Sequence, residues 1–494
     1  MHRKKYGYYT EKFKTLLLAT LVVTCIIQVG ILWSSQSGSF PFSFLDSIFA
    51  SNPMSQATSD DVKADFVRPY KVILSSGYES DHFIIENGSE EYQLLWESSQ
   101  KYLAKVLGDK PKLIEDYDPD KWGRLVASRP YAFEFKTSIP TEIVEWAIET
   151  KCSDEGPKNI YKYIISPNDI DNNYSDMIYI RSSDKIYSYE LPTNTTESIG
   201  KDTFLRLYNS YVTKPNAKNY EFAFEKFRTK QGAFSQDILT PITKVSYELY
   251  SDVEISPLFE SSIQNGNYDL DAISQKLFGD SVIDLFPDYD QNGALVFKNG
   301  ENIYKVYKDS TIEYRYIGLQ VPSEKPKILD AYKKAITFMI EHSKHNKLLS
   351  GVNVYLKSIE EKTLSYVFKF DITIDTKEGQ VPILLNNYEV GGNKLSSIIS
   401  IEVNSKRVTH GQWVAMTFNP SDYNKEYQLN ISEIADSLAT NYPTLDTAMI
   451  SIRDVEACYV LQRYTEKSIS VSPRVAIFTE DNCYDIPLRQ SNKK

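Results

Sequence analysis

Three oxygen-bearing side chains, Asp288, Asp290 and Asn292, alternate along the chain and are followed directly by Gly293. This is the first half of a calcium-binding loop, in which close carboxylate oxygens hold a hard divalent cation and glycine supplies the turn. The twelfth position of that pattern is Asn299, not the glutamate that completes the cation's shell. We therefore predict a polar turn leading into a strand and no metal site, with the three side chains as the alternative cation ligands.

Two of the few histidines form a further candidate pair. His342 and His345 lie three residues apart on a predicted helix, next to Glu341, and could face one metal ion together. Cationic residues at the carboxyl end of a helix also complement its dipole while they stay solvated, and we favour that interpretation. The chain contains no G-x-S-x-G, H-E-x-x-H or phosphate-binding glycine motif, so we predict no enzyme and no cofactor.

Charge and composition exclude other classes of function. The 494 residues carry a net charge of −11, and the first fourteen, with five basic residues and one acid, carry +4, so the rest carry −15. This negative charge repels nucleic acid and anionic wall polymers at long range, and we therefore predict no nucleic-acid partner. Tyrosine occurs 36 times, and with alternating Val, Ile and Thr it favours sheets that have one half-exposed face.

The cysteines are too few to build a fold. Beyond residue 50 the chain contains Cys152, Cys458 and Cys483. Three thiols cannot all pair within one chain, which excludes a disulfide scaffold. Cys458 and Cys483 could bridge neighbouring C-terminal strands or could be buried free thiols, and the sequence leaves both alternatives open.

The amino-terminal segment predicts a membrane anchor. Nineteen uncharged residues, 15–33, follow the basic head and, at about 1.5 Å per helical residue, would span about 28 Å, near the thickness of the hydrocarbon layer. The head is expected to stay in the cytoplasm, with the bulk of the chain on the outer side of the membrane. A cleaved signal peptide is the alternative, although its apolar stretch is usually shorter and is followed by a small-x-small site.

Within this anchor, Thr20, Thr24 and Gln28 recur every four residues and therefore lie along one side of the helix. In lipid, a polar stripe can form hydrogen bonds with another membrane helix, each worth about 0.6 kcal/mol on average. The threonines could instead bond to the preceding turn, while Gln28 reaches the outer headgroups. We predict that the stripe contacts a membrane partner. Fourteen cytoplasmic residues cannot form a signalling domain, so an inward signal must pass through the helix.

The remaining chain is too long for one core and predicts an extracytoplasmic α+β region of several domains. After residue 250 an amphipathic helix followed by an antiparallel meander recurs three times, with helices at 269–278, from Pro326 to about His345, and from Asn430 to Pro443. The predicted organisation is a cytoplasmic head at 1–14, a transmembrane helix at 15–33, a tether at 34–64, an N-terminal ectodomain at 65–250, a central α+β domain at 251–322 and a C-terminal α+β domain at 323–490.

Several local patterns predict single elements. We expect a strand at 71–75, a helix at 91–107, a helix at 141–151 that Thr141 caps, and a hairpin at the turn Asn299-Gly300. The clearest strand pattern places Leu364, Tyr366, Phe368, Phe370, Ile372 and Ile374 on one face, against Ser365, Lys369, Asp371, Thr373 and Asp375 on the other.

The order of these features resembles the YycH family of Gram-positive envelope proteins. The resemblance rests on the basic head, the anchor and the Ser-rich tether, and on three segments, Arg68-Pro69-Tyr70-Lys71-Val72-Ile73, Tyr92-Gln93-Leu94-Leu95-Trp96 and Leu285-Phe286-Pro287-Asp288 ahead of the hairpin. Each motif is short, and their order and spacing over nearly the whole chain carry the likeness.

This resemblance implies an accessory regulator of the WalK/WalR two-component system, which controls cell-wall turnover. Members of the family have an N-terminal domain and two later domains that resemble each other. They associate with the protein YycI and with the WalK sensor kinase largely through membrane helices. For this chain the resemblance implies a WalK-like kinase and a YycI-like protein as partners in the membrane. Activation and inhibition both occur in the family, so it does not imply the sign of regulation.

Residues and resemblance together favour a non-enzymatic membrane regulator. The second hypothesis is an extracytoplasmic sensor or scaffold that binds a wall fragment or a cation, which a pocket lined by several tyrosines would favour. The third is an anchored wall hydrolase, which would need a pair of carboxylates in a cleft.

Overall fold

The computed structural model describes most of the chain from residue 62 onward. The described part excludes the predicted cytoplasmic head, the predicted transmembrane helix with Thr20, Thr24 and Gln28, most of the predicted tether and residues 280–287. Among the helices that are described, none combines the length and the apolar character needed to cross a bilayer. The described ranges are 62–77, 80–128, 130–166, 177–191, 201–214, 218–223, 225, 234–235, 237–241, 244–264, 267–279, 288–319, 322–346, 348–377, 379–421, 423–443, 451–462, 466–479 and 482–491.

Within these ranges the chain forms eight α-helices and many short strands. The helices are α1 (Lys63–Phe66), α2 (Glu90–Gly108), α3 (Pro119–Ala127), α4 (Thr141–Ile148), α5 (Lys201–Thr213), α6 (Leu270–Phe278), α7 (Ile328–Ser343) and α8 (Ile431–Asn441). The strands are β1 (Lys71–Ser75), β2 (His82–Ile85), β3 (Leu113–Asp116), β4 (Tyr131–Pro140), β5 (Asn159–Ser166), β6 (Met177–Arg181), β7 (Lys185–Glu190), β8 (Tyr220–Phe222), β9 (Leu239–Pro241), β10 (Lys244–Tyr250), β11 (Val253–Pro257), β12 (Ile263–Gln264), β13 (Asn267–Tyr268), β14 (Asp288–Tyr289), β15 (Leu295–Asn299), β16 (Asn302–Val306), β17 (Thr311–Tyr316), β18 (Asn353–Glu361), β19 (Ser365–Thr376), β20 (Gly379–Leu385), β21 (Tyr388–Val390), β22 (Asn393–Leu395), β23 (Ile399–Asn404), β24 (Val408–Val414), β25 (Met416–Pro420), β26 (Asn424–Asn430), β27 (Asp454–Leu461), β28 (Ile469–Val471), β29 (Pro473–Phe478), β30 (Cys483–Pro487) and β31 (Arg489–Gln490).

The first half of the fold is a nine-stranded sheet in the order β3-β7-β6-β5-β4-β1-β2-β8-β9. Its strands have apolar side chains on both faces because both faces are covered. Val72 and Leu74 of β1 share a core with α2 and α4, whereas Ile73, on the opposite face, shares a second core with Trp122 of α3. This half is therefore a three-layer α+β arrangement.

The second half is a twelve-stranded sheet in the order β14-β15-β16-β17-β24-β23-β19-β20-β27-β29-β30, with β18 beside β19. Its pairings are antiparallel except between β20 and β27, which run parallel. The pairing of β17 with β24 joins 311–316 to 408–414, so the predicted central and C-terminal regions share one sheet. The chain enters this half through β10, which pairs with β26 along its whole length. The predicted domain limits remain predictions.

The helix α7 lies between the two halves. The Tyr332 hydroxyl donates a hydrogen bond to the Phe66 carbonyl at 2.9 Å, and the Tyr332 ring packs edge-on against Trp146 of α4 with 6.3 Å between centroids. On its other side the same ring stacks on Phe370 of β19. One residue therefore ties the two halves together through a buried contact.

Most of the predicted elements are confirmed. The strand at 71–75 and the helices at 91–107 and 269–278 occur within one residue of the predicted limits, and Asp269 caps α6 by accepting the Ala272 N–H at 3.1 Å. The hairpin is present, but Asn299 pairs with Asn302, so Gly300 and Glu301 form the turn rather than Asn299 and Gly300. The helix after Asn430 ends at Asn441, before Pro443.

Two expectations about these elements are wrong. Thr141 is the first helical residue of α4 rather than its cap, because its hydroxyl donates to the Pro157 carbonyl at 2.6 Å. The polar face of β19 is not half exposed, since Asp371 and Thr373 are both buried. Tyr70 of the first half packs on Tyr355, the residue opposite Asp371, and so covers that face.

Candidate functional site

The predicted polar turn opens the β14–β15 hairpin. Asp290 Oδ1 accepts the backbone N–H groups of Asn292 and Ala294, both at 2.9 Å, and Oδ2 lies 3.0 Å from Lys305 Nζ. Burial alone would raise the pKa of Asp290, but these donors outweigh it and hold that pKa below its usual range. The side chains of Asp288 and Asn292 are exposed. In the described ranges, no three His, Cys, Asp or Glu side chains are arranged to bind a metal ion.

The two histidines predicted on one helix have different environments, because α7 ends at Ser343 and His345 lies in the turn after it. The His342 ring packs on Phe338 with 3.8 Å between centroids, Nδ1–H donates to the Phe338 carbonyl at 2.8 Å, and Nε2 accepts from the Tyr304 hydroxyl at 3.2 Å. Burial lowers the pKa of His342 to about 4, although the bond to the Phe338 carbonyl opposes the shift. His345 is exposed and lies over Gly279. The expectation of two solvated cations is therefore wrong for His342, which is neutral and packed.

The three cysteines are free thiols. Cys458 pairs with Arg474 across β27 and β29, and Cys483 pairs with Phe478 across β29 and β30. An entire strand therefore separates the two residues, and they are also offset by four positions along it. The Cys458–Cys483 bridge that the sequence left open is not formed.

A cleft of about 830 Å³ opens between the two halves of the fold. One wall comes from β2, α5, β8 and β9 of the first half, and the other from β10, β20, β26 and β27. Buried apolar side chains in the lining include Ile85, Val245 and Leu429. The volume lies within the range of about 300 to 1,000 Å³ that is typical of ligand pockets. This cleft is the candidate functional site.

Tyrosine is the most prominent aromatic residue in the cleft. Tyr70, Tyr211, Tyr220 and Tyr247 all line it, and the hydroxyls of Tyr220 and Tyr247 lie 3.4 Å apart. The Lys218 ammonium lies 4.5 Å from the centroid of the Tyr247 ring, within the range of a cation–π contact. The lining thus contains several tyrosines, as expected under the hypothesis of an extracytoplasmic ligand sensor.

Charges in the lining are balanced. Four lysines, at 71, 214, 218 and 377, face four glutamates, at 86, 248, 426 and 456. Lys377 Nζ lies 2.6 Å from Glu248, and Lys214 Nζ lies 3.8 Å from Glu86. Because these charges are paired locally, the cleft has no strong preference for an anionic or a cationic ligand.

Three asparagines of the lining have an amide oxygen that is buried away from the cleft and makes no hydrogen bond to a described residue. They are Asn87, Asn219 and Asn424. The Asn87 amide nitrogen donates to the Tyr70 carbonyl at 2.6 Å, which fixes the orientation of that amide and leaves its oxygen unbonded. A buried acceptor without a partner is unfavourable by about 1–3 kcal/mol, so such groups are uncommon and call for a physical explanation.

A partly buried charge cluster adjoins the cleft and joins the two halves. Lys136 Nζ lies 2.6 Å from Glu456 and 3.5 Å from Asp454, Lys71 Nζ lies 2.5 Å from Asp454, and the Tyr70 hydroxyl donates to Glu456 at 2.7 Å. Burial would lower the pKa of Lys136, but Glu456 and Asp454 raise it above its usual range. Burial would likewise raise the pKa of Asp454, but Lys71 and Lys136 lower it. Lys136 and Asp454 are therefore both ionised at neutral pH.

Sequence reasoning did not identify the cleft. Its lining comes from segments separated by more than 300 residues, such as Tyr70 and Glu456, and no local pattern joins them. One signal was present, because Tyr70 and Lys71 both belong to the segment Arg68–Ile73 that carries the family resemblance. That segment supplies two residues of the cleft lining, and the same two belong to the five-residue charge cluster.

Comparison with known proteins gives a match at the level of structure only. No protein-family model matches the chain, and no curated protein does either. Among solved structures the chain is similar to YycH from Bacillus subtilis, with 14% sequence identity and a TM-score of 0.53 over 86% of this chain and 96% of that chain. An uncharacterized protein from Eubacterium rectale shares 12% identity and has a TM-score of 0.28, over 50% of this chain and 82% of that chain. The fold described above is therefore YycH-like.

Proposed function

We propose that this chain is a single-pass membrane protein that regulates a sensor histidine kinase of a cell-wall-controlling two-component system through contact, without catalysis of its own. The observation that carries the proposal is a YycH-like fold that matches 96% of the YycH chain despite 14% identity. This likeness is independent of the short motifs from which the family resemblance was drawn. The proposed partners are a WalK-like kinase and a YycI-like protein in the membrane.

The proposed route of regulation runs through the anchor at 15–33 and the ectodomain. The head is cytoplasmic in this proposal, so the anchor is the element that reaches both sides of the membrane. Thr20, Thr24 and Gln28 form the contact face for the kinase or the YycI-like protein, where interhelical hydrogen bonds would stabilise the complex. The ectodomain adds contacts above the membrane.

An anchor exchange tests this route. Residues 15–33 are replaced by an unrelated transmembrane helix of equal length, and transcription that depends on the kinase is measured in cells. Loss of regulation with normal surface expression is the expected result. Full retention of regulation would contradict the helix-contact route, and retention by a secreted form without any anchor would contradict the whole proposal.

A variant pair tests the contact face itself. Gln28→Leu with Thr24→Val removes polar groups from the stripe and is expected to reduce co-purification of the kinase. Val22→Leu with Ile26→Val changes the opposite side of the same helix and serves as the matched control. Equal co-purification with both variants would show that the stripe is not the contact face.

A second candidate function, an extracytoplasmic sensor, is favoured by the tyrosine-lined cleft. The two functions are compatible, because a ligand in the cleft would touch both halves of the ectodomain. A hydrolase would need a pair of carboxylates in that cleft, one of them in the isolated setting of a general acid. Of the four glutamates in the lining, Glu86 and Glu248 are instead paired with lysines, and Glu456 is held by Lys136 and Tyr70.

A further inference from the structure

We propose that the outer edge of β3 is a docking surface for a second copy of this chain, which adds its own β3 antiparallel to the first. The proposal goes beyond kinase regulation, since it concerns contact between identical chains and can hold or fail independently. Its starting point is the position of β3 (Leu113–Asp116) at one end of the nine-stranded sheet. This strand pairs with β7 on one side, and no described strand pairs with it on the other. Such an edge offers backbone N–H and C=O groups to another extended chain.

Exposed apolar side chains distinguish this edge from other sheet edges of the molecule. Leu113 and Ile114 of β3 are 48% and 42% exposed and point to opposite faces of the strand. The other end of the same sheet, β9, is three residues long and ends in Pro241, which blocks further pairing. The β30 edge of the second sheet is covered by Tyr442, whose hydroxyl donates to the Asp485 carbonyl at 3.1 Å and accepts the Asp485 N–H at 3.2 Å. Within the described ranges β3 has neither kind of protection.

The pairing with β7 determines which backbone groups can face a second chain. The Tyr117 N–H donates to the Asp184 carbonyl at 2.8 Å, toward β7. Because this direction alternates along an antiparallel strand, the N–H and C=O groups of Ile114 and Asp116 point away from β7, to the open edge. The Lys112 N–H is already bonded to β7, so the outward donors are those of Ile114 and Asp116. A symmetric antiparallel pairing with Ile114 opposite Ile114 of the second copy uses these groups.

The charges on either side of Ile114 are complementary to those of an antiparallel copy. At the alternate positions that share a face with Ile114, Lys110 and Lys112 precede it and Asp116 and Asp118 follow it, and all five are exposed. The backbone is still extended at Asp118, so the strand direction continues past Asp116. An antiparallel copy reverses this order, so Lys112 lies opposite Asp116 of the second copy and Lys110 opposite Asp118 of the second copy, on both sides of the two-fold axis. The segment is therefore complementary to itself.

The neighbouring symmetric registers lack this complementarity. An axis through Glu115 would place Glu115 opposite the same residue of the second copy, where like charges repel. An axis through Leu113 would place Lys112 opposite Ile114 and leave the charge unpaired. The axis through Ile114 is therefore the register that charge favours.

This contact is expected to be weak and reversible. A single strand pairing buries less surface than a stable dimer in solution needs. Lys110 and Lys112 now form ion pairs with Glu155 and Glu190 in which all four side chains are more than half exposed. Exposed pairs of this kind contribute little, so the lysines can exchange them for the aspartates of the second copy. A method that traps a transient pairing is therefore the appropriate test.

Cysteine cross-linking of the purified full-length chain tests the pairing. Ile114→Cys places two thiols opposite each other on the two-fold axis, where the Cα atoms of a hydrogen-bonded pair lie about 5.5 Å apart, within the range of a disulfide. Lys110→Cys is the matched control on the same face, because its two copies would lie about 27 Å apart along the strands. Under mild oxidation we expect a disulfide-linked dimer with Ile114→Cys, and with Lys110→Cys no more dimer than the natural sequence gives. Equal yields from the two variants, or no dimer above the natural background with Ile114→Cys, would overturn the proposal.

Charge reversal in the Ile114→Cys chain tests the register. Asp116→Lys places a lysine opposite Lys112 on both sides of the axis, so it is expected to lower the dimer yield by about fivefold or more. Lys112→Asp alone places an aspartate opposite Asp116 and should lower the yield to a similar extent. The two reversals in one chain invert the whole pattern and should restore the yield. A yield that neither single reversal changes, or that the double reversal leaves low, would overturn the register.

A mixture of the two single reversals separates loss of pairing from loss of folding. A chain with Lys112→Asp and a chain with Asp116→Lys, both carrying Ile114→Cys, are complementary to each other although neither is complementary to itself. Mixed together with tags of different mass, they should form mixed dimers in clear excess over dimers of either chain alone. Dimers in statistical proportions, or no mixed dimers, would contradict charge pairing at this edge.

Discussion

At the scale of single residues, polar side chains in this protein fall into two groups. Asp290 and His342 have their hydrogen-bonding atoms satisfied inside the fold, by backbone N–H groups and Lys305 in the first case and by Phe338 and Tyr304 in the second. Asn219 and Asn424 keep a buried oxygen unbonded beside a cleft. Residues of the first group stand in the sequence at intervals typical of metal ligands, which suggested chemistry for them. The asparagines of the second group belong to no such pattern.

Acid should destabilise the fold through His342. In the unfolded chain this ring binds a proton near pH 6.5, but burial lowers its pKa in the folded chain to about 4. The unfolded state therefore binds more protons between these values, and the free energy of unfolding falls as pH drops from about 6.5 to about 4, by about 3 kcal/mol in total. His342→Gln should flatten this slope in urea unfolding experiments.

His345, two residues after the end of α7, provides the control. His345→Gln changes an exposed ring and should keep the slope of the natural sequence. If His342→Gln and the natural sequence lose stability equally over this pH range, His342 is not the group responsible.

Gly279 should be far less tolerant of substitution than Gly300. Both have positive φ, at +64° and +60°, but Gly279 combines it with a ψ of −147°, a conformation essentially restricted to glycine, and a Cβ there would also have to displace the exposed His345 ring. Gly279→Ala is expected to destabilise by about 2–4 kcal/mol, and Gly300→Ala by about 1–2 kcal/mol from backbone strain alone. Equal shifts in thermal unfolding would argue against this difference in backbone strain.

At the scale of elements, local sequence patterns correctly predicted those helices and turns that depend on contacts between neighbouring residues. The helix α2 occurs where the spacing of Tyr92, Leu95 and Tyr102 places it, because those side chains are buried on one face. The NG hairpin forms as well, shifted by one residue. Where a distant element intervenes, the prediction was wrong. Thr141 bonds to Pro157 rather than capping its helix, and Asp371 is covered by the other half of the molecule.

The cap of α2 offers a test at this scale. Ser89 accepts the Tyr92 N–H at 3.1 Å and satisfies one of the free donors at the helix start. Ser89→Ala should therefore lower the free energy of unfolding by about 1 kcal/mol, while Ser89→Asp, which can accept the same bond, should restore most of it. Chemical denaturation measures both variants. Loss of stability with both would point to another role for the serine hydroxyl.

At the scale of the whole molecule, the two halves are held by partly buried charge. Lys136 is 12% exposed and lies between Glu456, Asp454 and the rings of Tyr70 and Phe478. Lys136→Met would remove the ammonium partner of Glu456, whereas Asp454 would keep Lys71, and we expect a loss of about 3 kcal/mol, at the lower end of the range for broken buried pairs. Glu456→Gln in the same chain should recover part of that loss, as a double-mutant cycle would measure.

An exposed ion pair supplies the comparison. Lys110 and Glu155 lie 2.5 Å apart but are 75% and 56% exposed, so Lys110→Met should change the free energy of unfolding far less than Lys136→Met does. Similar losses for Lys110→Met and Lys136→Met would contradict the importance of burial in the cluster.

The distance along the chain between the residues of the charge cluster explains why the sequence did not predict the site. Lys136 and Glu456 are 320 positions apart, and only the packing of two sheets brings them together.

Because β17 pairs with β24, a separately expressed C-terminal fragment would have an unpaired strand at the edge of its sheet. A polypeptide that starts at residue 323 would lack 311–316, and β24 would then offer its backbone N–H and C=O groups to any extended segment it met. Trp413 and Val414, which are buried in the intact chain, would lie along that bare rim. Such a fragment should aggregate or exchange strands with other copies of itself. A fragment that begins upstream of β14 would include β17, which pairs with β24.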